Sequence, residues 1–191
     1  KFMLSAEKVC AESVTLTKQT VKMLNKSYYE FFIVKSGVHY ILDIFISKLL
    51  DAAKIKYSAD GSTIKEINDA LKTASKKGTG RVGFPEFVGI SNDFIIVIEN
   101  KVDLEKQANF VNEDAAEYKT DTKSLKDYAE NGALHYGKHI VDNTNFKKVF
   151  AFGCSGDEKH HIIRPIFIEQ NEYKLLQPVE NFENFSSSNI D

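Results

Sequence analysis

The stretch that most constrains this chain is FIIVIENK, residues 94–101. An unbroken apolar run, Phe94 to Ile98, passes straight into Glu99, Asn100 and Lys101. A strand that is apolar on both faces is buried on both faces, so this one belongs in the middle of a covered sheet. Side chains alternate along a strand. Glu99 and Lys101 therefore share a face with Ile95 and Val97, while Asn100 shares the other with Ile96 and Ile98. The end of a central strand thus delivers a carboxylate and an ammonium to one place.

A second carboxylate stands close by in sequence. GRVGFPEFVGI, residues 80–90, precedes the run, and residues 82–90 read as a strand that forms a hairpin with 94–101. If Asn92 and Asp93 make a two-residue turn, Ser91 lies opposite Phe94, and Glu86 lies opposite Glu99 on the same face. A three-residue loop shifts the pairing by one and turns Glu86 to the other face. Two carboxylates and a lysine in one pocket suit a Mg²⁺ site that acts on phosphate, because the cation neutralises phosphate charge and helps ionise water. The lysine stabilises charge that develops on phosphorus or orients the attacking water. The same residues also suit an exposed Glu–Lys arrangement at a strand end.

The rest of the chain supplies helices for such a sheet. Residues 1–26 read as a weakly patterned helix. Residues 38–57 form a strong one, with Ile41, Ile44, Phe45, Leu49 and Ala52 or Ala53 as its stripe. STIKEINDALKTASKK, residues 62–77, reads as a helix with Ser62 or Thr63 as N-cap, broken by Gly78 and Gly80. Residues 124–141 read as another, with Tyr128, Gly132, Tyr136 and Ile140 at steps of four. KKVFAFG and IIRPIFI are two further strands joined by CSGDEKHH. Pro165 lacks an N–H, which places the last strand at an edge or a bulge. The fold class is therefore α/β, a mixed central β-sheet flanked by helices. We expect one domain over residues 1–178 with a core of about 38–168, then a polar tail or linker over 179–191.

Composition narrows the class of function. With 191 residues, 42% apolar and 27% charged, the chain suits one ordinary globular domain with a full core. No run reaches the length of a membrane span, and the start lacks a secretory signal. It also lacks an initiator Met, as a fragment or a processed chain would. Cys10 and Cys154 make no disulfide framework, which points to buried thiols in a reducing cytoplasm. Net charge is −2, from 25 basic and 27 acidic residues, which leaves nucleic acid open as a partner. The basic cluster KTASKKGTGR holds Lys72, Lys76, Lys77 and Arg81 just before the hairpin. His135 and His139 stand at i and i+4, but the zinc-protease pattern needs Glu where Tyr136 stands. His160 and His161 lie in a turn. GTGRVGF lacks the Lys-Ser/Thr of a phosphate loop. No amino-methyltransferase or helicase motif is present.

FPEF…IIVIENK resembles the PD-(D/E)XK nuclease motif: Pro-acid, a spacer that spans a hairpin, then acid-x-Lys at the end of an apolar strand. Glu86 stands where Asp is usual, and Glu99 and Lys101 match directly. The longer pattern resembles the N-terminal nuclease domain of type I restriction subunits and of fused type IIG restriction–modification enzymes. DYAENGALHYGKHI is similar to their helix after the acid-x-Lys strand, and KKVFAFGCSG…IIRPIFI to their next strand, Gly-Ser-Gly turn and return strand. The similarity covers about residues 38–168. Family members often carry Gln four residues before the helix Tyr, where this chain has Gly132.

The resemblance implies a restriction-endonuclease-like core and Mg²⁺-dependent hydrolysis of duplex DNA, with Mn²⁺ as a substitute. It implies Glu86 and Glu99 as metal ligands, and an acid on the first helix as a third: Asp43, with Glu30 and Asp51 as rivals. Lys101 would act on the water and the transition-state charge, and Tyr136 with Lys76, Lys77 and Arg81 would position phosphates. Methyltransferase, specificity or motor domains or subunits would complete the enzyme. A nuclease-fold module that binds DNA or partners without cutting, and a repair or recombination nuclease of the same fold, are the alternatives.

Overall fold

Antiparallel strands can be joined by a tight turn, but parallel neighbours need a long crossover, and that difference organises this chain. The computed structural model describes residues 39–91, 94–170 and 172–182. The expected helix over 1–26, together with Cys10 and Glu30, lies outside the described residues. The elements in order are α1 (His39–Ala52), β1 (Lys56–Ala59), α2 (Lys65–Leu71), β2 (Phe87–Ser91) and β3 (Phe94–Lys101). A short 3₁₀ turn (Leu104–Lys106), β4 (Phe110–Asn112), β5 (Glu117–Tyr118), α3 (Thr122–Asp127) and α4 (Ala129–Asn143) follow. The described chain continues through β6 (Lys148–Gly156), β7 (His161–Glu169) and β8 (Glu172–Leu175).

Among the described residues, the main sheet has six strands in the order β1-β2-β3-β6-β7-β8. β3 is central: it pairs antiparallel with β2 and parallel with β6. The crossover from β3 to β6 carries the β4–β5 hairpin, α3 and α4, and α4 packs across β3, β6 and β7. One face of the sheet buries Val88, Ile95, Val97, Ala151 and Ile166 under Ile67 and Leu71 of α2 and Ala133 and Ile140 of α4. The other buries Phe87, Ile96, Ile98 and Phe152 under Leu42, Phe45, Ile46 and Leu50 of α1. The mixed sheet between helices is thus as expected. Among the described residues, no helix is long and apolar enough to cross a membrane.

Several local readings are corrected. α1 stops at Ala52, and β1 occupies part of the span expected to be helical. Lys54 takes a left-handed conformation (φ 57°), Lys54 N–H donates to Asp51 O at 3.0 Å, and Ile55 N–H donates to Leu50 O at 3.0 Å. This is a C-terminal cap of the kind glycine usually makes. The buried stripe of α1 is Leu42, Phe45, Ile46 and Leu50, with Ile41 exposed. α2 is shorter than expected and its N-cap is Ile64, without a side-chain bond; Ser62 Oγ instead accepts from Ile64 N–H at 3.1 Å. β2 begins at Phe87, not at residue 82. The helix expected over 124–141 is two helices. α3 is capped by Asp121, whose carboxylate accepts from Lys123 N–H and Ser124 N–H, and the break falls at Tyr128 in extended conformation.

At the other end of the sheet, β6 runs through Cys154 and Ser155 to Gly156, and the turn follows it. β7 lies between β6 and β8, so Pro165 is not on an edge strand. Its carbonyl accepts from Leu176 N–H at 3.0 Å, so its nitrogen faces the same side, just past the last residue of β8. The missing N–H therefore costs no ladder bond. Residues 179–182, expected to begin a tail, are packed: Val179 bridges to Ile163, and Phe182 is buried against Phe152.

Candidate active site

The register of the β2–β3 hairpin decides whether two carboxylates meet. Ser91 pairs with Phe94 and Phe87 with Ile98, the last pair of the ladder, so Glu86 and Glu99 are the next residues on the two strands in the expected register. Asn92 and Asp93 are outside the described residues. Glu86 is half-buried, and its carboxyl is pushed up from 4.5 to about 7. Burial is the largest cause, followed by the charges of Glu99 and Asp43, with Lys101 and Lys76 pulling the other way.

Glu99 is 2% exposed and sits where β3 ends. Lys101 Nζ donates to its Oε1 at 2.7 Å. A second ammonium reaches the same oxygen: Lys76 Nζ also pairs with Glu99 Oε1. Glu99 Oε2 is buried and has no hydrogen-bond partner. An unpaired buried carboxylate oxygen is costly to keep, which makes Oε2 a candidate ligand atom.

Lys76 parts company with its basic neighbours. Lys77 and Arg81 are exposed, while the Lys76 side chain is 12% exposed and lies over the Tyr136 ring, 4.8 Å from its centre. Burial pulls its ammonium below the usual lysine range, with Glu99 opposing and Lys101 adding to the shift. Tyr136 is buried in the core between sheet and α4, and burial, then Glu99 and Glu86, raises its phenol. Gly132 explains how Lys76 gets in. A Cβ there would come within 3.0 Å of Glu99 Cγ and 3.1 Å of Lys76 Nζ. The position where the resembled family often has Gln is here the space that Lys76 enters.

Asp43 lies on the other side of the sheet from Glu99. It projects from α1, and Asn100 Nδ2 donates to its Oδ1 at 2.7 Å. Asn100 and Glu99 alternate along β3, so the two acids approach the strand end from opposite faces. Glu86 feels both. Asp51 is exposed, near the end of α1. Among the described residues, no three His, Cys, Asp or Glu side chains are gathered closely enough to hold a metal by themselves. Two carboxylates, one with a bare oxygen, still suit Mg²⁺, which commonly takes one or two carboxylates and completes its shell with water and substrate phosphate.

The histidine pair has a structural use. His139 Nε2 lies 3.0 Å from Ala70 O and His135 Nε2 lies 3.0 Å from Ala74 O, so α4 satisfies carbonyls at the end of α2 and just beyond it. A further polar group was not visible in the sequence. Glu130 of α4 is fully buried, and it takes Tyr118 OH on Oε2, and Gln107 Nε2 and Arg164 on Oε1. Ser155 Oγ donates to Gln107 Oε1 at 2.5 Å. An acid between Ala129 and the small pair Gly132–Ala133 on a helix was the one local hint.

Fold and site together define a mixed-sheet α/β protein with an acid–lysine centre at the end of its central strand. Among curated proteins, the chain is similar to the type II restriction enzyme and methyltransferase RM.BcgI of Heyndrickxia coagulans, with 35% identity over 151 residues. That match covers 78% of this chain and 23% of the relative, so the chain spans less than a quarter of that protein's length. No protein-family model and no solved structure matches the chain.

Proposed function

We propose that this chain is the cleavage domain of a restriction–modification enzyme of the type I or type IIG kind, with a PD-(D/E)XK centre that hydrolyses phosphodiester bonds in duplex DNA. The observation that carries the reading is Glu99: a buried carboxylate at the end of the central strand, with Lys101 on one oxygen and nothing on the other. The similarity to a restriction enzyme and methyltransferase supports it.

Glu86 and Glu99 would hold a divalent cation, Mg²⁺ or Mn²⁺. When bound, the cation supplies charge neutralisation at the phosphate and lowers the pKa of water. Asp43 acts from the far side of the strand end, orienting Asn100 and adding negative potential at Glu86. Lys101 lies on the same face as Glu99, and its ammonium would stabilise charge that grows on the phosphate oxygens. Lys77 and Arg81, exposed on the loop before β2, contact the DNA backbone, which makes affinity fall with salt. Methylation and sequence recognition belong to partner domains or subunits.

The test pairs a titration with a cleavage assay on the enzyme that carries this chain. Mn²⁺ should bind wild type more tightly than Mg²⁺, following the general affinity order, and duplex DNA should be cut only with a divalent ion. Glu99→Ala should lose both properties while remaining folded. Cutting by folded Glu99→Ala at the wild-type rate overturns the reading. A wild-type protein that binds duplex DNA but never yields cleaved product favours the non-cutting module instead.

A further inference from the structure

Lys76 is buried at a cost, and that cost needs a reason. Lysine is almost never fully buried unless paired. Here the stem crosses Tyr136 and the ammonium shares Glu99 Oε1 with Lys101. Glu86 lies within electrostatic reach of both ammoniums, so the two acids and two lysines balance when all are charged, and a divalent cation at the acids would leave positive charge in surplus, which attracts an anion. The entry is prepared by the backbone. Ser75 N–H donates to Arg81 O at 3.0 Å and Gly78 N–H to Ser75 O at 3.0 Å, closing the loop so that Lys76 points inward while Lys77 stays outside. Gly132 supplies the slot, since any side chain there would press on the Lys76 ammonium and on Glu99.

We propose that Lys76 is a substrate-phosphate ligand of this centre, which serves before DNA arrives as a tethered counter-ion of Glu99. The proposal rests on the cleavage reading above. A divalent cation held by Glu99 would repel the Lys76 ammonium, and Lys76, released from Oε1, would turn to a substrate phosphate. Lysine suits the task better than arginine, because its ammonium is a point charge on a flexible stem that can swing without rebuilding a planar fork.

Lys76→Met tests this, because it keeps an apolar stem against Tyr136 and removes the charge. Lys76→Arg keeps the charge, and Lys72→Ala serves as control, since Lys72 is exposed and paired with Asp69. Thermal melts establish that each variant is folded. In Mn²⁺ titrations without DNA, Lys76→Met should bind about tenfold more tightly, because a competing charge a few ångströms away is gone. In single-turnover cleavage at saturating Mg²⁺, the same variant should be slower by about 10²-fold, the usual loss for one transition-state donor. Lys76→Arg should recover part of that rate, and Lys72→Ala should match wild type in both assays. Unchanged Mn²⁺ affinity in Lys76→Met overturns the counter-ion role, and an unchanged cutting rate overturns the phosphate role. Wild type that neither binds Mn²⁺ nor cuts overturns the cleavage reading and this inference with it. Wild type that does both, beside a Lys76→Met that matches it, overturns this inference alone.

Discussion

Glu99 and Glu130 are both buried on the α4 side of the sheet, and they meet across one backbone position. Glu99 pairs with Gly153 on the next strand, and a Cβ on Gly153 would come within 2.6 Å of Glu130 Cγ. Their surroundings are opposite. Glu130 has every oxygen occupied: Tyr118 OH at 2.5 Å on Oε2, Gln107 Nε2 at 2.7 Å and Arg164 at 3.2 Å on Oε1. Burial still raises its carboxyl, while Tyr118, Gln107 and Arg164 hold it back. Glu99 has two ammoniums on one oxygen and none on the other. A saturated carboxylate is a strut, tying α4 to the 3₁₀ segment, β5 and β7. A half-saturated one suits the ligand-holding role proposed for Glu99. Gly153 allows both, because only a residue without a side chain lets α4 come this close to β6 beside the site.

The comparison breaks most sharply under Glu99→Ala. If Glu99 is the ligand-holding acid, cleavage should fall by about 10³-fold or more, beyond the loss of a single oxyanion donor. The Mn²⁺-induced rise in melting temperature should vanish with it. Glu130→Ala should do the reverse. Removing one partner of a buried charged network costs about 3–5 kcal/mol, and for a chain of this size each kcal/mol moves the melting temperature by roughly 2–4 °C. Thermal melts should therefore show a large drop, and a Mn²⁺ shift should persist in whatever protein remains folded. If Glu130→Ala abolishes the metal shift at a temperature where it is folded, Glu130 belongs to the site and the contrast fails. Lys101→Ala comes next. It removes no metal ligand, so Mn²⁺ should still bind, while cutting falls by about 10²–10³-fold. An unchanged rate in the folded, metal-loaded variant would leave Lys101 only a structural partner of buried Glu99.

The same contrast explains what could be read from the sequence. Glu99 and Lys101 were legible because one strand carries them and its alternation fixes their face. Glu86 followed from a two-residue hairpin register, which the Ser91–Phe94 pair matches. Glu130 was not legible, because its partners come from the 3₁₀ segment, β5 and β7, and no local spacing joins Gln107, Tyr118 and Arg164. Lys76 read as one of four clustered cations, Lys72, Lys76, Lys77 and Arg81, since only the packing at Gly132 turns it inward. The stripe of α1 was misplaced by one residue because Ile41, Leu42, Ile44, Phe45 and Ile46 make that helix apolar nearly all round. Its end was missed because Lys54 takes the left-handed cap where glycine would have announced it. β8 and the β4–β5 hairpin are short, with mixed sequences whose pairing comes from the ladders they join.

Glu86 gives the smallest effect and the finest test of the contrast. In the folded protein its carboxyl is raised to about 7 from the ordinary 4.5, chiefly by burial and by the charges of Glu99 and Asp43. Between those two values the folded chain holds a proton that the unfolded chain has already lost. Stability therefore falls as pH rises whenever the unfolded state binds fewer protons. In divalent-free buffer, denaturant melts should show Glu86's contribution fully present below about pH 4.5 and lost as pH passes 7. Glu86→Gln, which carries no titrating proton, should flatten that slope by up to about one proton's worth. Mn²⁺ should also flatten it, since a cation between Glu86 and Glu99 favours the ionised form. A wild-type protein that grows more stable through the same window would mean that Glu86 is ionised and paired with Lys76 or Lys101. It would then be a satisfied acid of the Glu130 kind, and Glu99 alone would remain to receive a ligand.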